Sequence, residues 1–223
     1  AEILARLESH YSVELPTSPG LDTMESMVRA EEGSIDFALC LGGNLFGSNP
    51  DSAFATRALS AIDTVVYMST TLNTGHAWGM GRDTIILPVL ARDEEPQSTT
   101  QESMFNFVRL SDGGEARHPG PRSEVDVIAD LGSRVLGQTG PIDWDLMKTH
   151  RDIRQVIAAV IPGYEKIGSI DDTRSEFQIT GRTFHEPSFR TDTGNAKFHV
   201  VEIPATNGGD DSLTLMTVRS EGQ

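Results

Sequence analysis

Two periods alternate along the first half of the chain. Ile3, Leu4, Leu7 and Tyr11 recur at helical spacing and predict a helix over the first dozen residues. Pro16 and Pro19-Gly20 end it in a loop. A second helix is expected from about Thr23, with Met24, Met27 and Val28 inward and Gly33 just past its end. Phe37-Ala38-Leu39-Cys40-Leu41 is then apolar throughout, a pattern that suits the middle of a parallel sheet. Gly42-Gly43-Asn44 breaks it, where two glycines allow a sharp turn and close approach of a ligand to the main chain. Asn49 reads as a helix N-cap, Pro50 as the first helical residue, and Asp51 as a complement to the dipole. Phe54, Ala58, Leu59 and Ile62 mark one face of that helix, and Thr64-Val65-Val66-Tyr67-Met68 is the next strand. Strand, helix, strand at this spacing predicts a βαβ unit in an α/β fold with a parallel sheet.

The second half is less regular. Asp83 to Leu87 reads as a third strand stopped by Pro88, and Met104 to Leu110 as a fourth that ends in the turn Ser111-Asp112-Gly113-Gly114. Residues 118–121 (His-Pro-Gly-Pro) form a linker. Ser123 and Asp126 suggest a capping box before Val127, Ile128, Leu131 and Val135, with Gly137 closing the helix. A longer helix is expected from about Asp143 to Ile161, with Pro162 as its stop. After that the pattern weakens. Lys197 to Ile203 reads as a strand, 207–211 as a linker, and Leu213 to Val218 as a further strand. Both ends read as cut, the expectation for an excised piece.

Composition narrows the function classes. The 223 residues carry 18 Lys plus Arg against 33 Asp plus Glu, a net charge of −15, which argues against a nucleic-acid or anionic-membrane surface. No apolar run is long enough for a membrane span and no signal peptide opens the chain, so a cytoplasmic protein is expected. A single cysteine, Cys40, excludes an intrachain disulfide and a Cys-based zinc or iron–sulfur site within this sequence. Cys40 reads as a small core residue. The acidic run Asp93-Glu94-Glu95-Pro96 reads as a solvated loop rather than a catalytic pair.

Candidate chemistry sits in two loops. Ser69 to His76 (STTLNTGH) follows the second predicted strand and falls beside the Gly42-Gly43-Asn44 turn. Open α/β sheets bind ligands at the carboxyl ends of their strands. Hydroxyl and amide side chains there make a neutral wall suited to sugars, phosphates or bases, while ordinary turn chemistry is the plainer alternative. The glycine spacing is not G-x-G-x-x-G, so a conventional dinucleotide fingerprint is not supported. His76, a lone loop histidine, is weak as a base or ligand.

Five stretches in order resemble the alpha subunit of molybdopterin-dependent oxidoreductases, in the formate dehydrogenase-like branch. They are FALCLGGNLFGSNPD, VVYMSTTLNTGHAWGMGRDTIILP, QESMFNFVRL, TDTGNAKF and LMTVRSEGQ. The resemblance covers nearly the whole chain; each motif is loose, and the ordered set is more specific. It implies a parent enzyme in which two molybdopterin guanine dinucleotides hold one molybdenum. In such a parent a missing N-terminal region carries a 4Fe-4S cluster, and the metal oxidises a small substrate such as formate by two electrons. It further implies a Rossmann-like three-layer sandwich with a mostly parallel sheet, followed by an extended, partly irregular C-terminal segment. The implied organisation is a Rossmann-like domain over 1–162, a connecting segment over 163–209, and the start of a dinucleotide-binding β-barrel over 210–223.

On this resemblance Gly42, Gly43 and Asn44 pass close to one dinucleotide, and Ser69, Thr70 and Asn73 contact its ribose or base. Thr217, Arg219, Gly222 and Gln223 match the opening of the family's fourth domain, which reaches the pterin and phosphates. Arg219 suits that place, because guanidinium pairs bidentately with phosphate. Two departures stand out. Relatives often place an acidic residue just after the second strand, where this chain has Ser69, and the loop to the third strand is longer here. The implied partners are the remaining domains of the parent chain and an electron-transfer subunit, with no nucleic acid and no membrane. The piece alone is expected to be inactive, with no catalytic or metal-ligating residue and no bound cofactor of its own. Two other readings remain: a cofactor-free structural subunit of an electron-transfer complex, and a stand-alone nucleotide-binding module.

Overall fold

The computed structural model describes residues 2–179, 187–189 and 191–202. The chain divides into two compact units, 1–181 and 182–223. In the first unit the expected periodicities build the elements that frame the site. Helix α1 spans Glu2–Tyr11 and α2 spans Thr23–Glu31. Strand β1 is Phe37–Leu41, α3 is Ser52–Ser60, and β2 is Thr64–Ser69. The short helix α4 covers Gly75–Trp78 and β3 covers Asp83–Pro88.

Strands β1, β2 and β3 form a parallel sheet in that order, with Phe37 opposite Thr64 and Thr64 opposite Asp83. The molecule is a mixed α/β fold of Rossmann-like character. β2 is the central strand, and five of its residues (Val65, Val66, Tyr67, Met68 and Ser69) are buried. β1 lies at the edge, not in the middle as its composition suggests. Ala38 and Cys40 pack against the core beneath α2 and α3, with Met27, Ala55, Leu59 and Ile62. On the other sheet face Phe37, Leu39, Leu41 and Ile85 are exposed among the described residues. An all-apolar strand therefore records two apolar faces, and only one of them is covered here.

Local capping differs from the sequence expectation by two residues. Asp51, not Asn49, is the N-cap of α3, and its carboxylate accepts from the Phe54 amide at 2.9 Å. Asn49 instead accepts from the Asp51 amide at 3.0 Å, an Asx turn that sets the cap in place. In α2 only Met27 of the expected stripe is buried; Met24 and Val28 are exposed, because α2 touches the core along a strip narrower than its apolar face.

The second half of this unit builds a smaller antiparallel sheet. β4 (Thr99–Glu102) pairs with β5 (Phe107–Ser111), which pairs with β6 (Phe177–Gln178). Helix α5 spans Glu124–Leu136 and ends at Gly137 with φ +80°, as its sequence predicts. Ser123 makes no side-chain cap bond, so the expected capping box is absent; the reciprocal arm is Asp126, one methylene shorter than the usual Glu. The single long helix expected over 143–161 is a 3-10 turn at Leu146–Lys148 followed by α6 (His150–Val160). Helix α7 (Ile170–Thr173) closes over it, and Arg154 of α6, 3% exposed, binds both oxygens of Asp171, Nε at 2.8 Å. Val108, Ile167, Ile170 and Phe177 form a second buried cluster. A parallel bridge between Val89 and Arg122 adjoins the end of β3.

In the second unit, Thr191 to Asn195 form a turn, with the Gly194 amide bonded to Thr191 O at 3.0 Å. Residues 197–202 adopt no strand, contrary to the alternation of Lys197 to Ile203. Phe198 and Val200 are 93% and 99% exposed, so among the described residues no sheet neighbour supplies the packing that strand propensity needs. The expected linker at 207–211 and strand at 213–218 lie outside the described residues.

Candidate functional site: the crevice at the ends of β1 and β2

Parallel pairing puts the carboxyl ends of β1 and β2 side by side, and the two polar corners follow directly. The Gly42 amide bonds to Met68 O at 2.8 Å, which ties the first corner to the last turn of β2. Gly42 and Gly43 have φ +65° and +70°, conformations that favour glycine. A side chain built at either would meet nothing within 4 Å, so their backbone faces open space. Gly42, Gly43, Asn44, Ser69, Thr70, Thr71, Asn73 and Glu124 line a crevice of about 330 Å³. Of the residues singled out from sequence, Gly42, Gly43, Asn44, Ser69, Thr70 and Asn73 are thus brought together. Thr217, Arg219, Gly222 and Gln223 lie outside the described residues.

Two asparagines brace the corners. Asn44 Nδ2 donates to Thr74 Oγ1 at 2.9 Å, and Asn44 Oδ1 accepts from the Gly47 amide at 2.8 Å. Asn73 Nδ2 donates to Gly43 O at 3.0 Å, and Asn73 Oδ1 accepts from the Gly75 amide at 2.9 Å. Gly75 is the close-approach residue: a Cβ there would fall 2.7 Å from Asn44 Oδ1. The bracing roles of Thr74 and Gly75 escaped the sequence reading, although Asn-Thr-Gly is an Asx-turn signal. Glu124 also escaped it, because the chain returns to this rim only through the Val89–Arg122 bridge.

Ser69 and His76 form a buried pair, Oγ to Nε2 at 3.2 Å. It resembles a nucleophile and base, but the hydrogens run the other way. The Asn73 amide donates to His76 Nδ1 at 3.0 Å, which leaves the ring hydrogen on Nε2, where it points at the Ser69 oxygen. The imidazole therefore supports the serine as a donor and takes no proton from it. The Ser69 hydroxyl keeps its own hydrogen for a neighbour. The ring of Tyr67 abuts His76 edge-on at 5.0 Å, and burial pushes the Tyr67 phenol up to about 12, with Cys40 adding to the rise. The Tyr67 hydroxyl donates to Gly79 O, which fixes the loop that carries His76. Burial also raises the Cys40 thiol, keeping it protonated and unreactive.

Among the described residues the crevice lining contains no Lys or Arg and one carboxylate, Glu124. Its surface suits hydroxyl-rich and heterocyclic groups better than a bare phosphate. The N-terminus of α3 is not a free anion site either, because Asp51 already caps it. A similar-sized cavity of about 340 Å³ lies under α2, but its walls are mainly apolar and hold no convergent polar groups.

No family model matches the chain. Curated relatives do. An uncharacterized oxidoreductase of Mycobacterium bovis is 30% identical over 232 aligned residues, covering all of this chain and 29% of the relative. Uncharacterized oxidoreductases of Mycobacterium tuberculosis strains CDC 1551 and H37Rv match with the same identity and coverage. The chain thus spans about 29% of the length of the curated relatives it matches. Among the described residues no group of three or more His, Cys, Asp or Glu is placed to hold a metal ion. No described helix is long and apolar enough to cross a membrane.

One sequence expectation is corrected close to the site. The run Asp93-Glu94-Glu95 is not uniformly solvated. Arg92–Glu94 form a 3-10 turn. Asp93 pairs with Arg117, and that hydrogen bond holds its carboxyl below the usual range. Glu94 accepts from the Ala91 amide at 3.0 Å, which lowers it likewise. Glu95 turns inward and is 6% exposed.

Proposed function

We propose that the crevice holds the guanine-nucleotide tail of a molybdopterin guanine dinucleotide, and that the chain is a cofactor-cradling domain of a longer, formate dehydrogenase-like oxidoreductase. One observation carries this reading: a corner of two positive-φ glycines and a hydroxyl and amide wall lie together at the carboxyl ends of neighbouring parallel strands. The names of the mycobacterial relatives support the broader class, oxidoreductase.

In this reading the Gly42 and Gly43 backbone lies against the tail and Asn44 holds that corner in place. Ser69 offers its free hydrogen to a ribose or base acceptor, Thr70 adds a second hydroxyl, and Asn73 fixes the gap between the corners. The described lining of the crevice holds no cation, which leaves phosphate charge to other groups, of which Arg219 is the proposed one. Thr217, Gly222 and Gln223 complete that proposed set. The molybdenum cofactor, when bound, supplies the two-electron chemistry. The residues described here position the cofactor and exclude water, and none is assigned a step in the reaction. The 4Fe-4S cluster is assigned to sequence outside this chain, which has one cysteine.

The full protein tests this directly. Metal analysis and acid release are expected to yield molybdenum with guanine nucleotide in a fixed ratio, and formate is expected to reduce an artificial dye. Full protein containing neither molybdenum nor guanine nucleotide would contradict the reading.

A further inference from the structure

Four buried polar atoms have no hydrogen-bond partner among the described residues: Glu95 Oε1, Thr99 Oγ1, Ser123 Oγ and His150 Nε2. All four residues line one cavity of about 280 Å³. They come from three stretches of chain, Glu95 to Thr99, Ser123 and His150, so no single local turn explains their meeting. An unsatisfied buried polar group costs about 1–3 kcal/mol, and four around one void call for an occupant. Glu95 and Ser123 are only 6% and 5% exposed.

The geometry restricts that occupant. His150 Nδ1 lies 3.1 Å from Ser98 O. A carbonyl oxygen only accepts, so Nδ1 carries the ring hydrogen and Nε2 presents a lone pair. Glu95 Oε1 is a second acceptor, 3.9 Å from Nε2, too far for a direct hydrogen bond. One atom about 2.8 Å from each would see them roughly 90° apart. That suits a group with two hydrogens on one atom. A water molecule and an amino group both qualify, and a hydroxyl does not. The Thr99 and Ser123 hydroxyls can serve the ring nitrogens or carbonyl beside such a group. Glu95 and Glu124 in the lining disfavour an anion, and Arg92 is already bonded to Gln101.

We propose that this cavity is a base pocket, in which Glu95 and His150 read the exocyclic amino group of an aminopurine. The proposal rests on the nucleotide reading of the crevice. The two spaces share Thr70 and Glu124 as walls. A ribose against Ser69 and Thr70 therefore presents its base at the mouth of the cavity.

Equilibrium binding of GMP and IMP to the full chain, cleared of carried-over nucleotide, tests this, because the two differ only in the 2-amino group. The expected result is that GMP binds about tenfold tighter or more, a difference of about 1.4 kcal/mol. Glu95→Leu should lower GMP to the level of IMP while leaving IMP within about twofold and the thermal midpoint no lower. Equal binding of GMP and IMP by the unaltered protein would overturn the base pocket and leave the crevice reading standing. Free 2-aminopurine, followed by its fluorescence, separates the remaining case. If neither nucleotide binds but 2-aminopurine does, in a Glu95-dependent way, the pocket stands and the crevice reading falls. If nothing binds, the cavity holds only water and both are overturned.

Discussion

Gly42 and Gly43 show how residue-level physics sets the site. Both adopt the left-handed region without any steric crowding around the missing Cβ. Their replacement is therefore a backbone problem alone, and Gly43→Ala is expected to cost about 1–2 kcal/mol, read as a shift in the urea midpoint. Asp130 gives a second residue-level prediction. Hydrogen bonds from Lys148 and then Arg122 hold its carboxyl at about 2, below its ordinary 3.8. A lowered folded value means that the stabilisation is complete above 3.8 and is lost as pH falls through 2. Asp130→Asn should flatten the acid limb of a stability–pH curve in that window and leave the slope of the neutral region unchanged. The glycines were legible in the sequence because glycine pairs after an apolar run have few uses. Glu95 was not, because three adjacent acids before a proline carry no mark of which one turns inward; the 3-10 turn at Arg92–Glu94 decides it.

At the scale of elements, legibility followed packing. β2 and α3 were readable because Val65, Ala58 and Leu59 are wholly buried and their spacing records it. β4 was missed because Thr-Thr-Gln-Glu has no apolar alternation; it becomes a strand only through its pairing with β5. The ends of β4, α6 and α7 meet at Arg154, whose guanidinium holds both oxygens of Asp171 and also donates to Ser98 O at 3.0 Å. A mid-helix arginine in sequence reads as a solvated charge, and only the fold of α7 over α6 buries it. Arg154→Met leaves Asp171 without its partner and is expected to cost about 3–5 kcal/mol. Thermal unfolding of the variant checks this, and a loss below about 1 kcal/mol would place the pair among weak surface bridges.

At the scale of the molecule, one covered and one exposed sheet face stand beside a strongly acidic surface. Phe37 and Leu41 are each 53% exposed among the described residues, while Ala30 and Leu59 on the covered side and Ile170 in the second cluster are buried. Alternation in β1 alone could not have told its two faces apart, since both are apolar. The ligand crevice opens where the parallel strands end, and the neutral hydroxyl and amide groups of its described lining set what it can take. A cradle of that kind should respond to a guanine nucleotide at its own corners and in the adjoining cavity that holds Glu95 and His150.

The most direct measurement is amide-shift mapping of the full protein, stripped of nucleotide, during titration with GMP. The account predicts saturable shifts at Gly42, Gly43, Ser69, Thr70 and Asn73, extending to Glu124. Shifts confined to other surfaces, or no shift at those six residues at saturation, would contradict it.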